Sequence, residues 1–307
     1  MRIQSIKIPD SIALRTGLKE VEMTKLGQVV VVAGKNGSGK SRLFKLVQLE
    51  VQDIPTEEVQ IENEDKYAQY TYNKNHWQGQ QQAALAKNPP DNMQLRTIQQ
   101  HLDSNLQELS KLEAGRDRLS RIIIEGNVNP SKVVEFVPKD LNLTDAYTLN
   151  EHQLDENSRR IYSKGTGGSS LGTIPAIQKV VRRYSLAKSQ VTTASQEENE
   201  RSIRNFEKLK EYIQLFLSAE LGISPDGHAE LFGKRIGEAA LSDGQKILLQ
   251  FCLAIYAQET SLNELVIFMD EPENHLHPGA LTSVLDKIIE HLSAGQLWIS
   301  THSIHIL

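Results

Sequence analysis

Cysteine is almost missing from this chain. Cys252 is the only one in 307 residues, so no internal disulfide can staple the fold. Its neighbours Leu248, Leu249, Phe251 and Ile255 point to a packed thiol rather than a reactive one. Long hydrophobic runs are missing as well. None approaches the ~18 residues that read as a membrane span, and residues 1–10 alternate apolar and polar side chains instead of forming a signal-peptide core. Together these absences predict a cytoplasmic protein with no membrane partner. Nor is there an excess of one charge. Lys and Arg number 34 against 39 Asp and Glu, a net charge of −5, which excludes a uniformly basic nucleic-acid binder while leaving room for a local basic patch. With 39% hydrophobic and 24% charged residues, the chain has a globular balance and the length for a sizeable core.

What is present is concentrated towards the two ends. Residues 1–8 and about 18–23 read as short strands. Gln28 to Ala33 reads as a buried strand, and Ser41 to about Val51 as a helix with Leu43, Leu46, Val47 and Val51 on one side. Near the other end, Asp243 to about Gln258 reads as a helix and Glu264 to Met269 as a buried strand. Leu281, Val284, Leu285, Ile288, Ile289 and Leu292 mark an amphipathic helix, and Gln296 to Ser300 another strand. Strands alternating with helices imply an α/β fold with a mainly parallel sheet. The expected division is a head formed by residues 1–51 and 226–307, with an inserted, largely helical lobe at 52–225. Within that lobe residues 53–92 are polar, glutamine-rich and weakly specified. Leu95, Ile98, Leu102, Leu109, Leu112 and Leu119 follow a heptad seam, interrupted by Asn105 and Arg116, that predicts a long helix or part of a helical hairpin. Residues 121–137 look strand-like with a turn at 126–130, and a second amphipathic helix is expected over about 200–217.

Three segments carry chemistry. Gly34-Lys35-Asn36-Gly37-Ser38-Gly39-Lys40-Ser41 is a complete phosphate loop lying between a strand and a helix. Its glycines let backbone N–H groups turn towards phosphates at the positive end of the helix. Lys40 is placed to reach the outer phosphates, and Ser41 to put its hydroxyl on magnesium. Val266 to Met269 is an apolar strand that ends in Asp270 and Glu271. The first is a magnesium ligand candidate, the second a base for the attacking water. In Leu241-Ser242-Asp243-Gly244-Gln245, Ser242 can cap a helix, and Gly244 at the helix start lets an anion approach the backbone.

In this order, the motifs resemble those of ABC-type ATPases. The likeness is to the SMC/RecF/OLD-like branch, and particularly to bacterial AAA-family ATPases with the Asp-Glu-Pro-Glu-Asn-His-Leu-His-Pro element that here spans 270–278. It covers about 1–50 and 225–307 and extends to PtuA-like ATPases of the Septu anti-phage system and to retron-associated ATPases. The resemblance implies a P-loop head that binds ATP with Mg2+ and works as a homodimer or higher homo-oligomer. Gly34, Asn36, Gly37, Ser38, Gly39, Lys40, Ser41 and Arg42 would hold the nucleotide of one subunit. Ser242, Gly244 and Gln245 of another would cover it. Ser41 and Asp270 would serve the metal, Glu271 would activate water, and His302, in the polar turn after strand 296–300, would contact the terminal phosphate. Two features depart from the pattern. His277 stands where transporter ATPases have an aspartate, and Pro138-Lys139-Asp140 offers no glutamine for the usual magnesium shell. The chain also stops five residues after His302, where relatives continue, so a truncated form or a missing C-terminal module is expected.

The resemblance also implies a biological setting: DNA repair or phage defence, beside a nuclease or other effector. An alternative is a slowly hydrolysing scaffold that sequesters a toxin or nuclease; the same motifs serve both. Between Ser158 and Lys188 there are seven basic residues and no acidic one: Arg159, Arg160, Lys164, Lys179, Arg182, Arg183 and Lys188. Two readings stand, a contact to DNA or RNA phosphates and simple pairing with acids elsewhere in the chain.

Overall fold

The computed structural model describes residues 1–87, 92–126, 132–136, 152–153, 170–189, 194–258, 261–274 and 276–303. In chain order the strands and α-helices are β1 (Arg2–Ile8), α1 (Asp10–Ala13), β2 (Val21–Met23), β3 (Val29–Ala33), α2 (Lys40–Gln52), α3 (Glu57–Leu85), α4 (Asn92–Arg121), β4 (Ile122–Glu125) and β5 (Val133–Phe136). There follow α5 (Ser170–Lys188), α6 (Gln196–Leu217), β6 (Leu221–Ile223), β7 (Ala229–Leu231), β8 (Lys234–Arg235), α7 (Asp243–Tyr256), β9 (Val266–Asp270), α8 (Pro278–His291) and β10 (Gln296–Thr301). The turn expected at 126–130 falls mostly outside the described residues. So do Pro138, Lys139 and Asp140, and the basic residues Arg159, Arg160 and Lys164.

The chain forms two compact units. One comprises Met1–Arg2, Leu26–Gln48 and Ser131–Leu307; the other comprises Ile3–Lys25 and Leu49–Pro130. At the centre of the first is a parallel sheet in the order β3-β10-β9-β5, with Trp298 level with Val30 on one side and Phe268 on the other. A parallel sheet covered on both faces needs strands apolar throughout, and β9 and β10 are buried along nearly their whole length. Phe44 of α2 sets its ring edge-on against Phe268 and Trp298, at centroid distances of 5.4 and 6.3 Å. Polar groups also enter this core, and not all are partnered: both amide atoms of Gln48 are buried without a hydrogen bond among the described residues. Gln296 is fully buried, yet its amide donates to the Gly27 carbonyl (2.8 Å) and accepts from Trp298 Nε1 (2.9 Å).

Helices α5, α6, α7 and α8 share one apolar core with the sheet, through Ile177, Leu209, Ile213, Phe251 and Ile288 among others. Thus α5 and α6, expected within the inserted lobe, supply apolar cover for the parallel sheet. Cys252 lies in this core, where its thiol donates to the Tyr212 carbonyl (3.4 Å) and burial pushes its pKa up. A small antiparallel sheet, β6-β7-β8, precedes α7.

In the second unit β2, β1 and β4 form a three-stranded sheet, and α3 and α4 form a long helical hairpin. The partner of the heptad seam is thus the polar stretch after residue 53, which folds as a helix of 29 residues, about 44 Å long. Trp77 and Ala84 of α3 meet Leu95, Ile98 and Leu102 of α4, and Trp77 stacks on His101 at 4.4 Å. Neither interruption of the seam breaks the helix. Asn105 turns its amide onto the His101 carbonyl (2.8 Å), and Arg116 reaches Glu64 of α3 (2.8 Å) while lying over the Tyr67 ring. Closer to the sheet, the buried carboxylate of Glu50 receives Arg121 at 3.2 Å and Arg118 at 3.5 Å.

Candidate functional site

All the candidate site residues fall in the first unit, most of them at the ends of β3, β9 and β10 and three, Ser242, Gly244 and Gln245, at the start of α7. Parallel pairing puts these ends side by side. Ala33 is level with Thr301, and Asp270 with Ser300. The phosphate loop leaves β3 with Gly34 N donating to the Thr301 carbonyl at 3.0 Å, and Lys40 opens α2. Gly37 and Gly39 have φ of 80° and 98°, so the loop requires glycine at both positions. Gly34 is tight in a different way, since a Cβ there would meet Ser38 Oγ at 2.7 Å.

Lys40 is buried, and its Nζ is fully engaged. It donates to the carbonyls of Gly34 (2.8 Å) and Lys35 (3.2 Å) and pairs with Glu271 Oε1 (2.8 Å). Ser41, Arg42, Asn36 and Ser38 are exposed around the same loop. Glu271 has φ of 46°, a left-handed conformation that costs a non-glycine residue roughly 1–2 kcal/mol. Ser300 holds it there, its carbonyl and its Oγ accepting the Glu271 N–H at 3.1 and 3.0 Å. That same hydroxyl donates to Asp270. The hydrogen bond from Lys40, aided by one from Asn274, holds the Glu271 carboxyl below its ordinary value, so the group is ionised at neutral pH.

Magnesium can be tested against the donor set. Among the described residues no group of three His, Cys, Asp or Glu side chains could hold a metal. A closed zinc-type cage is therefore not what these residues build. Asp270 and the Ser41 hydroxyl are oxygen donors beside a phosphate loop, which fits a hard cation that keeps water and substrate phosphate in its shell. Magnesium is such a cation.

His302 follows β10. Its Nδ1 lies 3.2 Å from Glu273 Oε1 and 3.9 Å from Glu271 Oε2. Glu273, which the sequence reading gave no role, also accepts from Thr301 Oγ1 (2.7 Å) and from the His302 N–H (2.8 Å). A signal for it was available, since three of the four residues Asp270–Glu273 that leave a buried strand are acidic.

The signature segment starts α7. Ser242 Oγ accepts from Gln245 N (3.3 Å) while Gln245 Oε1 accepts from Ser242 N (2.9 Å), a reciprocal capping box. The expected helix cap at Ser242 is thus present, and Gln245 shares in it. A Cβ on Gly244 would meet only Leu276 Cδ2, at an ordinary 3.6 Å, and the residue is not left-handed. The fold of one chain therefore makes no demand for glycine there. His277, the departure from the aspartate pattern, caps α8 by accepting from Gly279 N (3.4 Å) with Pro278 behind it.

A family model described as "AAA domain, putative AbiEii toxin, Type IV TA system" matches residues 29–307. The Old nuclease of Escherichia phage P2 is 36% identical over 76 residues, which make up 24% of this chain and 13% of that protein. The chain therefore matches only a small part of that relative. Among solved structures, the SmcHead bound to the C-winged helix domain of ScpA aligns with 100% of this chain and 91% of its own, at 14% identity and a TM-score of 0.43.

Proposed function

This chain belongs to the AAA-domain family matched over residues 29–307 and is an ATPase, and on that premise we propose that ATP binds at the phosphate loop and is hydrolysed in a site completed by a second copy of the chain. The observation that carries the reading is the Lys40–Glu271 pair, 2.8 Å long and lodged between the loop and the carboxylate strand. Incoming phosphate oxygens compete for the ammonium of Lys40. Once Lys40 turns to them, the Glu271 carboxylate is released to orient and deprotonate water. Backbone N–H groups from Gly34 to Gly39, with Asn36, Ser38 and Arg42 on the exposed rim, cradle the phosphates. Asp270 and Ser41 would hold Mg2+, which would supply positive charge to offset that of the phosphates. His302 contacts the terminal phosphate.

The second copy supplies Ser242, Gly244 and Gln245. Support comes from Gly244, whose lack of a side chain serves no packing need within the chain, whereas a helix start approached by phosphate needs an uncluttered backbone. The ATP-driven closing and opening of this pair controls a nuclease or other effector in phage defence or DNA repair, inside the cytoplasm. Among the described residues no helix is long and apolar enough to cross a membrane. The alternative, a scaffold that hydrolyses slowly and sequesters its partner, differs in turnover. Hydrolysis measured with and without DNA and the partner separates the two.

Nucleic acid is the proposed ligand of the basic segment. Lys179 and Arg183 of α5 and Arg201, Arg204 and Lys208 of α6 line a cleft of about 1000 Å³ together with Glu197 and Glu198, and the adjacent Arg182 is exposed. Reversing the charge of Arg182 and Arg183 should weaken binding across all sequences and flatten its salt dependence. Absence of binding by the unaltered protein at low salt with ATP present would end this part of the reading.

A further inference from the structure

We propose that Glu273 is a positioning residue for hydrolysis: its carboxylate fixes the His302 ring through Nδ1 and so leaves Nε2 as the nitrogen for the terminal phosphate and its attacking water. This rests on the reading of His302 given above and adds the group that aims the ring.

Three groups from the end of β10 converge on one carboxylate oxygen. Thr301 Oγ1 and the His302 N–H, at 2.7 and 2.8 Å, would suffice to brace the turn. The third, His302 Nδ1 at 3.2 Å, is the ring itself. The rival acceptor is Glu271, but its Oε2 is 3.9 Å from Nδ1, beyond hydrogen-bond range, and already accepts from Asn274 at 3.0 Å. Nδ1 is therefore assigned to Glu273. A carboxylate only accepts, so Nδ1 carries the proton and Nε2 is the ring nitrogen left over. The Glu273 side chain is only 11% exposed, and burial strengthens the attraction between its carboxylate and the ring N–H. A buried carboxylate behind a working histidine sets its tautomer and orientation in the same way elsewhere in enzyme chemistry.

The contacts also supply a separating variant. Glu273 Oε2 is buried with no hydrogen-bond partner among the described residues, whereas Oε1 accepts from Thr301 Oγ1 and the His302 N–H and lies 3.2 Å from the His302 ring nitrogen. Glu273→Gln can set its carbonyl oxygen at the Oε1 position and its amide at the other. Both bonds to the strand end are then kept and only the charge is lost.

The test compares Glu273→Gln, Glu273→Ala, His302→Ala and the Glu273→Gln/His302→Ala double variant with the unaltered chain. It reads kcat, ATP affinity, melting temperature and the ¹⁵N shifts that report the His302 tautomer. Glu273→Gln and His302→Ala should each lower kcat by roughly 10–100-fold with ATP affinity unchanged. The double variant should be no slower than His302→Ala alone, and the tautomer signal of His302 should change in Glu273→Ala, where no acceptor is left facing Nδ1. Full activity in His302→Ala would remove the underlying reading of that histidine, and this proposal with it. A slow His302→Ala beside a fully active Glu273→Gln would overturn the positioning role alone. So would losses that multiply in the double variant, or a tautomer unchanged in Glu273→Ala. Glu273→Ala also removes the brace on the turn; a lowered melting point in it but not in Glu273→Gln is the expected pattern, whereas the same drop in both, together with an unslowed kcat in Glu273→Gln, would reduce Glu273 to that brace.

Discussion

In the parallel-sheet unit the buried polar side chains beside the candidate site hold their neighbours in place. In the helical hairpin polar side chains cover most of α3 and face water. Lys40, Ser300 and Thr301 are buried at strand ends, tied to Gly34, Asp270, Glu271 and Glu273 by short contacts. By contrast α3 buries only Ala84 outright, and its cross-hairpin contacts are an aromatic stack, an Arg–Glu pair and a small apolar cluster. The parallel-sheet unit uses polarity to build chemistry at the edge of an apolar core; the hairpin is held together with little burial. Each variant below tests that difference.

The largest effect belongs to the site. Lys40→Ala removes a cation that faces the loop and Glu271 rather than the apolar core. ATP hydrolysis should be abolished and affinity should fall by about 1.5–3 kcal/mol, with the melting temperature little changed. Titration of the variant with a fluorescent ATP analogue checks this, and unchanged affinity would remove the assignment of the loop. Next is the core of the same unit. Phe268→Ala opens a cavity between Phe44 and Trp298 and should cost about 3–5 kcal/mol in denaturant unfolding. An equal loss from Trp77→Ala in the hairpin would erase the contrast between the units. We expect about 1–2 kcal/mol there, with ATP affinity unaltered. Arg116→Ala, which breaks an exposed ion pair and its stack on Tyr67, should have the smallest effect on denaturant unfolding and lose most of that at high salt.

The same difference explains what the sequence disclosed. Strands β3 and β9 are apolar runs ending in glycine and acid, β10 carries Leu297-Trp298-Ile299, and α8 has a clean 3.6-residue period, because burial on a sheet enforces those patterns. The helix at 57–85 was illegible because its partner covers only a narrow stripe, leaving Gln, Glu, Lys and Tyr to fill the rest. Such a helix carries little periodic signal even though most of its residues favour helix. At the site, Lys40, Asp270 and Glu271 were readable as motif positions. Ser300 and Thr301 were not, and Glu273 showed only as one more acid after the strand, since their roles depend on which strand lies beside which, and that is set by the sheet order. Cys252 was readable as packing, and the core bears this out: a thiol-specific reagent should leave the native protein untouched and label it fully on unfolding.

Paired sites are the central claim. Glu271→Gln should keep the phosphate contacts while losing the base, so ATP accumulates in a closed pair. Gly244→Ala has space for its methyl group in the single chain and should fold as well as the parent. The most direct measurement is ATP occlusion, with mass by light scattering alongside, for Glu271→Gln alone and with Gly244→Ala. The account predicts slow ATP release and doubled mass in the single variant, and rapid release from a monomer in the double variant. Rapid release from Glu271→Gln, indifferent to the change at Gly244, would contradict it.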